Sequence, residues 1–207
     1  MTVSSETLRS ISTPDQFESR LGTLEFVNGV PRSETVETVY DHLDFVHALN
    51  VFLNGFAGAS TVALRKGLAE AGADDNQVLI FSELMDSASL FLTANADTAY
   101  FLSMVDLRPG PVVVGTPPQS LGMFDDRWWQ WIVDFGLPGP DRGEGGRFLL
   151  VPAGLRRPAA DSGYHIGHSR TTRAFLLGRA FMEDDDPAPT DNASDGTATP
   201  NTGGRSR

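Results

Sequence analysis

Residues 99–116 read AYFLSMVDLRPGPVVVGT, two runs rich in Val, Phe and Leu at 99–107 and 112–115 with Arg, Pro and Gly between them. Short runs of β-branched and aromatic residues bounded by turn formers are the signature of β-strands. The same pattern recurs on either side, at residues 78–82, 90–93, 122–125, 128–135, 148–151, 164–168 and 173–181. Strands this short and this closely spaced predict a sandwich or barrel and argue against a doubly wound parallel sheet. Gly and Pro are dense between residues 136 and 146, which marks a long loop.

Upstream of the strands the period changes. Val39, Leu43, Val46, Leu49 or Asn50, and Leu53 recur every three or four residues, as one stripe of a helix starting near Ser33 does. Residues 60–71 carry Val62, Leu64 and Leu68 and stop at Gly72, a residue suited to a left-handed helix end. Glycines at 55 and 58 predict a hinge between two helices, hence a helical hairpin. The fold class expected is α+β: an N-terminal helical hairpin packed on an antiparallel, jelly-roll-like β-sandwich.

The chain has 207 residues, 16 Lys plus Arg against 27 Asp plus Glu, and a net charge of −11. That length suits one domain and a tail, and that charge disfavours nucleic acid and anionic membranes as partners. There is no cysteine, which excludes disulfides, thiolate nucleophiles and cysteine metal sites. No apolar leader precedes the first strands, so a cytoplasmic setting is the expectation. Residues 183–207 hold six acids, two arginines and no apolar side chain larger than alanine, the composition of a disordered acidic tail. The organisation expected is a flexible N-terminus at 1–16, a folded domain at 17–182, and that tail.

Three groups of residues could carry chemistry. Asn95, Asp97 and Tyr100 sit at a strand boundary, where Asn95 and Tyr100 could orient a substrate beside an Asp97 acid or base. The same residues equally suit an Asx turn between strands. Asp125 and Asp126 precede Arg127, Trp128 and Trp129, and Asp134 follows Trp131. Carboxylates beside aromatic platforms are what glycoside hydrolysis requires, with Asp126 and Asp134 as candidate acid and base and Trp128 as the sugar platform. Turn residues facing solvent would read the same way. Asp141 and Arg142 lie in the glycine-rich 139–146 loop, placed either to meet a polar ligand or to pin the loop as an ion pair. The four histidines lack metal-ligand spacing and no Gly-x-Ser-x-Gly elbow occurs, so neither a metal nor another cofactor is expected.

Several segments together resemble a known bacterial family: residues 19–26 (SRLGTLEF), 28–31 (NGVP), 40–45 (YDHLDF), 92–98 with Tyr100, 110–114 (GPVVV) and 139–146. The family is domain of unknown function 1254, and the resemblance extends over about residues 17–181. It implies β-sandwich, jelly-roll-like units, a companion second domain (domain of unknown function 1214), and a suggested role in glycan processing. This chain is identified as a truncated member, since its acidic tail begins where the second domain would start. Leu155 also replaces a common tyrosine. Two functions follow as expectations: a glycan-active, hydrolase-like domain impaired by loss of its companion, or a non-catalytic module that docks a companion domain or forms a homo-oligomer.

Overall fold

The computed structural model describes residues 3–89, 94–155 and 163–182, together with the backbone of 199–200. The expected strand at 90–93 lies outside the described residues, and so does the expected acidic tail apart from Thr199–Pro200. The chain divides into two compact units, residues 1–56 and 57–207.

In the first unit, α1 (Ser5–Ile11) falls within the segment expected to be flexible. Ser4 caps it, its hydroxyl accepting from Thr7 N at 3.1 Å. An antiparallel meander follows, β1 (Gln16–Ser19), β2 (Gly22–Val27) and β3 (Val30–Pro31). Buried Thr35, in the first turn of the next helix, accepts from Glu25 N at 2.8 Å and so ties that turn to β2.

That helix, α2, is continuous from Ser33 to Glu70, which corrects the expected hairpin. Arg32 takes the first capping bond, its carbonyl accepting from Val36 N at 3.0 Å, so Ser33 is the first helical residue. Gly55 and Gly58 remain helical because each costs only about 1 kcal/mol relative to alanine, too little to break a run of good helix formers. The helix ends as its sequence implies: Gly72 has φ +95°, and Ala73 N and Gly72 N donate to the Leu68 and Ala69 carbonyls.

The second unit holds two sheets. One has five strands in the order β4 (Val78–Ile80), β5 (Ala99–Asp106), β11 (Arg173–Ala180), β7 (Ser120–Asp126), β8 (Trp131–Gly136), all antiparallel. The other runs β10 (His165–His168), β9 (Gly146–Val151), β6 (Val112–Thr116), β12 (Thr199–Pro200). Its β10–β9 pair is parallel, a departure from the all-antiparallel architecture expected. β12 places Thr199 opposite Val113 and Pro200 opposite Val112.

The inner faces of the two sheets share one core. Phe124 meets Phe135 at 5.3 Å and Phe148 at 5.5 Å between ring centroids. Gly178 lies opposite Phe101, and Gly122 opposite Phe135. A Cβ on either glycine would run into that partner's ring, so the two glycines make the room the aromatic core occupies.

β5 is buried along its whole length because both of its faces are covered. Phe101 and Val105 enter the inter-sheet core, whereas Leu102 and Met104, with Phe175 of β11, pack under Leu64 and Leu68 of α2. The helix therefore covers one part of the outer face of the five-stranded sheet. Strand alternation leaves another part open, toward Tyr100 and Arg179.

Candidate functional site

Cross-strand register builds the open part of that face. Arg179 pairs with Tyr100 on one side and Leu121 on the other, and one row along Leu177 pairs with Met123, which pairs with Asp134. These side chains, with Pro138, line a cavity of about 390 Å³. Tyr100 is buried, while Arg179 and Asp134 are half-buried. The Tyr100 hydroxyl accepts from Asn95 N at 3.1 Å, which leaves its own proton free to donate into the cavity. No ion pair ties up Arg179 among the described residues, so guanidinium, phenol and carboxylate converge on one hollow.

Asp125 lies two residues beyond Met123 on the same strand, beside that cavity without lining it. Phe124 points into the core, so Asp125 turns outward, where it is only 6% exposed. Its carboxyl makes no hydrogen bond or ion pair among the described residues. Burial first, then the negative charges of Asp126 and Asp134, push its pKa above the ordinary carboxylate value.

The remaining sequence candidates lie elsewhere. Asp97 is exposed. Asn95 forms an Asx turn, its Oδ1 accepting from Thr98 Oγ1 at 2.6 Å and Asp97 N at 3.4 Å. Asp126 is 2% exposed and holds the β7–β8 turn, its Oδ1 accepting from Trp128 N at 2.7 Å and Gln130 N at 3.1 Å. That turn takes Trp128 and Trp129 out of the strand expected at 128–135. Trp129 lies edge-on to Phe175 at 5.3 Å, and Trp131 is 67% exposed.

Trp128 stands over Gly58 of α2 at the wall of a second, open cavity of about 780 Å³. Val62, Lys66, Arg127 and Thr171 also line it. Thr61 Oγ1 donates to the Arg127 carbonyl at 2.9 Å and fixes the turn to the helix. Trp128 therefore does not share a cavity with Asp134.

Asp141 is buried, and its Oδ1 accepts from Gly136 N at 2.7 Å. Arg142 is exposed, at φ +53°. The loop is thus pinned by a carboxylate on a backbone amide, in place of the expected Asp141–Arg142 ion pair, because the turn carries Arg142 to the outside. Among the described residues no group of three or more His, Cys, Asp or Glu is arranged to hold a metal ion.

Comparison with known proteins identifies the chain at the level of family. Residues 76–200 match the family described as "Protein of unknown function (DUF1254)". The chain belongs to that family. The match takes in both sheets and every residue lining the smaller cavity. No curated protein matches this DUF1254 member. Among solved structures it is similar to the VPA0106 protein from Vibrio parahaemolyticus, at 16% identity and a TM-score of 0.55 over 73% of this chain. The match takes in 37% of that protein, so this chain spans well under half of its length. A likeness at this identity concerns fold alone.

Arg179 is the site residue that sequence reasoning missed, and Asp125, named in the acidic stretch, was passed over for Asp126 and Asp134. Arg179 did leave a signal: it is a charged residue that shares the Leu177 face of a strand otherwise rich in Phe, Leu and Ala. Nothing in the stretch separated Asp125 from Asp126, because before a turn a buried carboxylate and a solvated one are spelled alike.

Proposed function

We propose that this DUF1254 domain binds a small, hydroxylated, anionic ligand on the outer face of its five-stranded sheet. The convergence of Arg179, Tyr100 and Asp134 on one cavity carries the reading. A guanidinium offers paired donors to a carboxylate, the phenol adds a third donor, and Asp134 accepts from hydroxyls. Leu121, Met123 and Leu177 supply an apolar floor for carbon-bound hydrogens. A sugar acid has this combination of groups, which makes glycan processing the reaction class we favour.

Hydrolysis needs a protonated carboxyl beside an ionised one. Asp125 and Asp134 fit those roles better than Asp97 or Asp126: Asp125 is held toward its neutral form, and Asp134 opens on the cavity. The test is calorimetric titration of the full chain with uronic acids and neutral sugars, followed by a hydrolysis assay on uronate-containing oligosaccharides. Uronate binding that Arg179→Met abolishes without changing the melting temperature supports the site. Turnover lost in both Asp125→Asn and Asp134→Asn supports the chemistry. Equal binding by wild type and Arg179→Met, or none by either, rejects the proposal.

A non-catalytic, assembly reading is favoured by a different observation, the large apolar side chains of α2 that stand exposed between residues 40 and 56.

A further inference from the structure

Between residues 33 and 64, α2 carries no lysine or arginine, and its apolar residues do not gather on a covered face. Phe45, Leu49, Phe52 and Phe56 follow one another at spacings of four, three and four, which is the seam of a paired helix. They are 64%, 45%, 67% and 65% exposed, flanked by Leu53 at 60%. A helix this apolar belongs inside something. With roughly 200 Å² for a fully exposed aromatic and somewhat less for leucine, these five side chains expose on the order of 550 Å². That is at the upper end of the apolar patch found on a monomer, and a facing copy would cover it together with the polar residues beside the seam, toward the roughly 800 Å² per partner of a stable interface.

We propose that this face of α2 packs against the same face of a second copy of the chain, with the two helices antiparallel. The inference rests on the assembly reading above and names its partner. The seam is self-complementary: a two-fold axis between Asn50 and Val51 sets Phe45 against Phe56 and Leu49 against Phe52. Charge chooses the direction. Glu34, Glu37, Asp41 and Asp44 crowd the first third of the helix, whereas toward its other end Arg65 and Lys66 are balanced by Asp75 and Glu70. Parallel packing stacks the acids of one copy on those of the other. Antiparallel packing separates them, brings them toward the partner's neutral end, and opposes the two helix dipoles.

Light scattering of the full chain at tens of micromolar should give about twice the 22.3 kDa chain mass. Phe52→Glu should return it to the monomer mass, and because Phe52 is exposed the far-ultraviolet helix signal should persist. Direction is read by crosslinking, since the chain has no cysteine of its own. Thr38 and Ala63, both exposed on the seam's heptad positions, stand about 38 Å apart along the helix. An equimolar mixture of Thr38→Cys and Ala63→Cys chains should form the mixed disulfide, and Thr38→Cys alone should not form its own. A wild-type chain that is monomeric at 100 µM overturns the proposal. In that case, binding of an apolar dye that Phe52→Glu abolishes would keep the assembly reading with a different partner, and no dye binding would end both. A dimer in which Thr38→Cys crosslinks to itself overturns the antiparallel arrangement.

Discussion

Replacing Gly58 with alanine separates a hinge from a contact. Anywhere in a helix that is free of neighbours, glycine to alanine stabilises by about 0.8–1 kcal/mol. Gly55 is such a place, because a Cβ there would meet nothing within 4 Å. At Gly58 the same Cβ would stand 2.5 Å from Cζ3 of Trp128 and 2.9 Å from Cη2, well inside van der Waals contact. Trp128 is 48% exposed, so it can swing outward, and the cost is the ring's contact with the helix rather than a broken core. Overpacking of this kind costs about 1–3 kcal/mol. Gly55→Ala should therefore gain about 1 kcal/mol, or roughly 2–4 °C in melting temperature for a chain of this size. Gly58→Ala should lose about 1 kcal/mol net and shift tryptophan emission to the red. In a Trp128→Ala background, Gly58→Ala should become stabilising. The assay is thermal denaturation followed by circular dichroism and fluorescence on all four variants. If Gly58→Ala stabilises as much as Gly55→Ala with Trp128 present, the ring does not sit on the helix and the placement of the β7–β8 turn is wrong.

Asp125 makes stability depend on pH in the direction opposite to an ion-paired acid. Its folded pKa is raised, so folding bears no penalty below the unfolded value near 3.9, and the penalty grows as pH rises through the folded value. Asp125→Asn should then stabilise the chain at pH 7, with the gain fading toward pH 4 in urea melts; a gain independent of pH would count against this. Asp106 works the other way. Its hydrogen bonds from Arg108 lower its pKa, so its contribution is present above the unfolded value and lost as pH falls through the folded one. Asp106→Asn should flatten the acid limb of the stability profile, and an unchanged limb would refute the assignment. Asp141→Ala strips the acceptor from the buried Gly136 amide and should cost about 1–3 kcal/mol, whereas Arg142→Ala should fall within about 0.5 kcal/mol of wild type.

The strands were legible in the sequence because period-two alternation and Gly/Pro punctuation are local. All eight of the expected strands that fall on described residues form, within a few residues of their predicted bounds. The helix stop at Gly72 was legible for the same reason, since a left-handed end is specified by one residue. Gly58 was misread as a hinge because its cause lies 70 positions away: an aromatic ring that only the folded chain brings to the helix. Trp128 and Trp129 left their strand because the carboxylate of Asp126 found two backbone amides to accept from, a choice the spelling Asp-Asp-Arg-Trp-Trp leaves open.

The family, the β-rich class and the acidic charge were therefore fixed by the order of residues alone, since each depends on composition or on neighbours a few positions apart. The candidate site was decided by tertiary structure. Tyr100, Asp134 and Arg179 come from three strands separated by long stretches of chain, and only the order β5-β11-β7-β8 makes them neighbours. Sheet register is set by burying one face of every strand at once, and that energy belongs to the assembled core rather than to any segment of it.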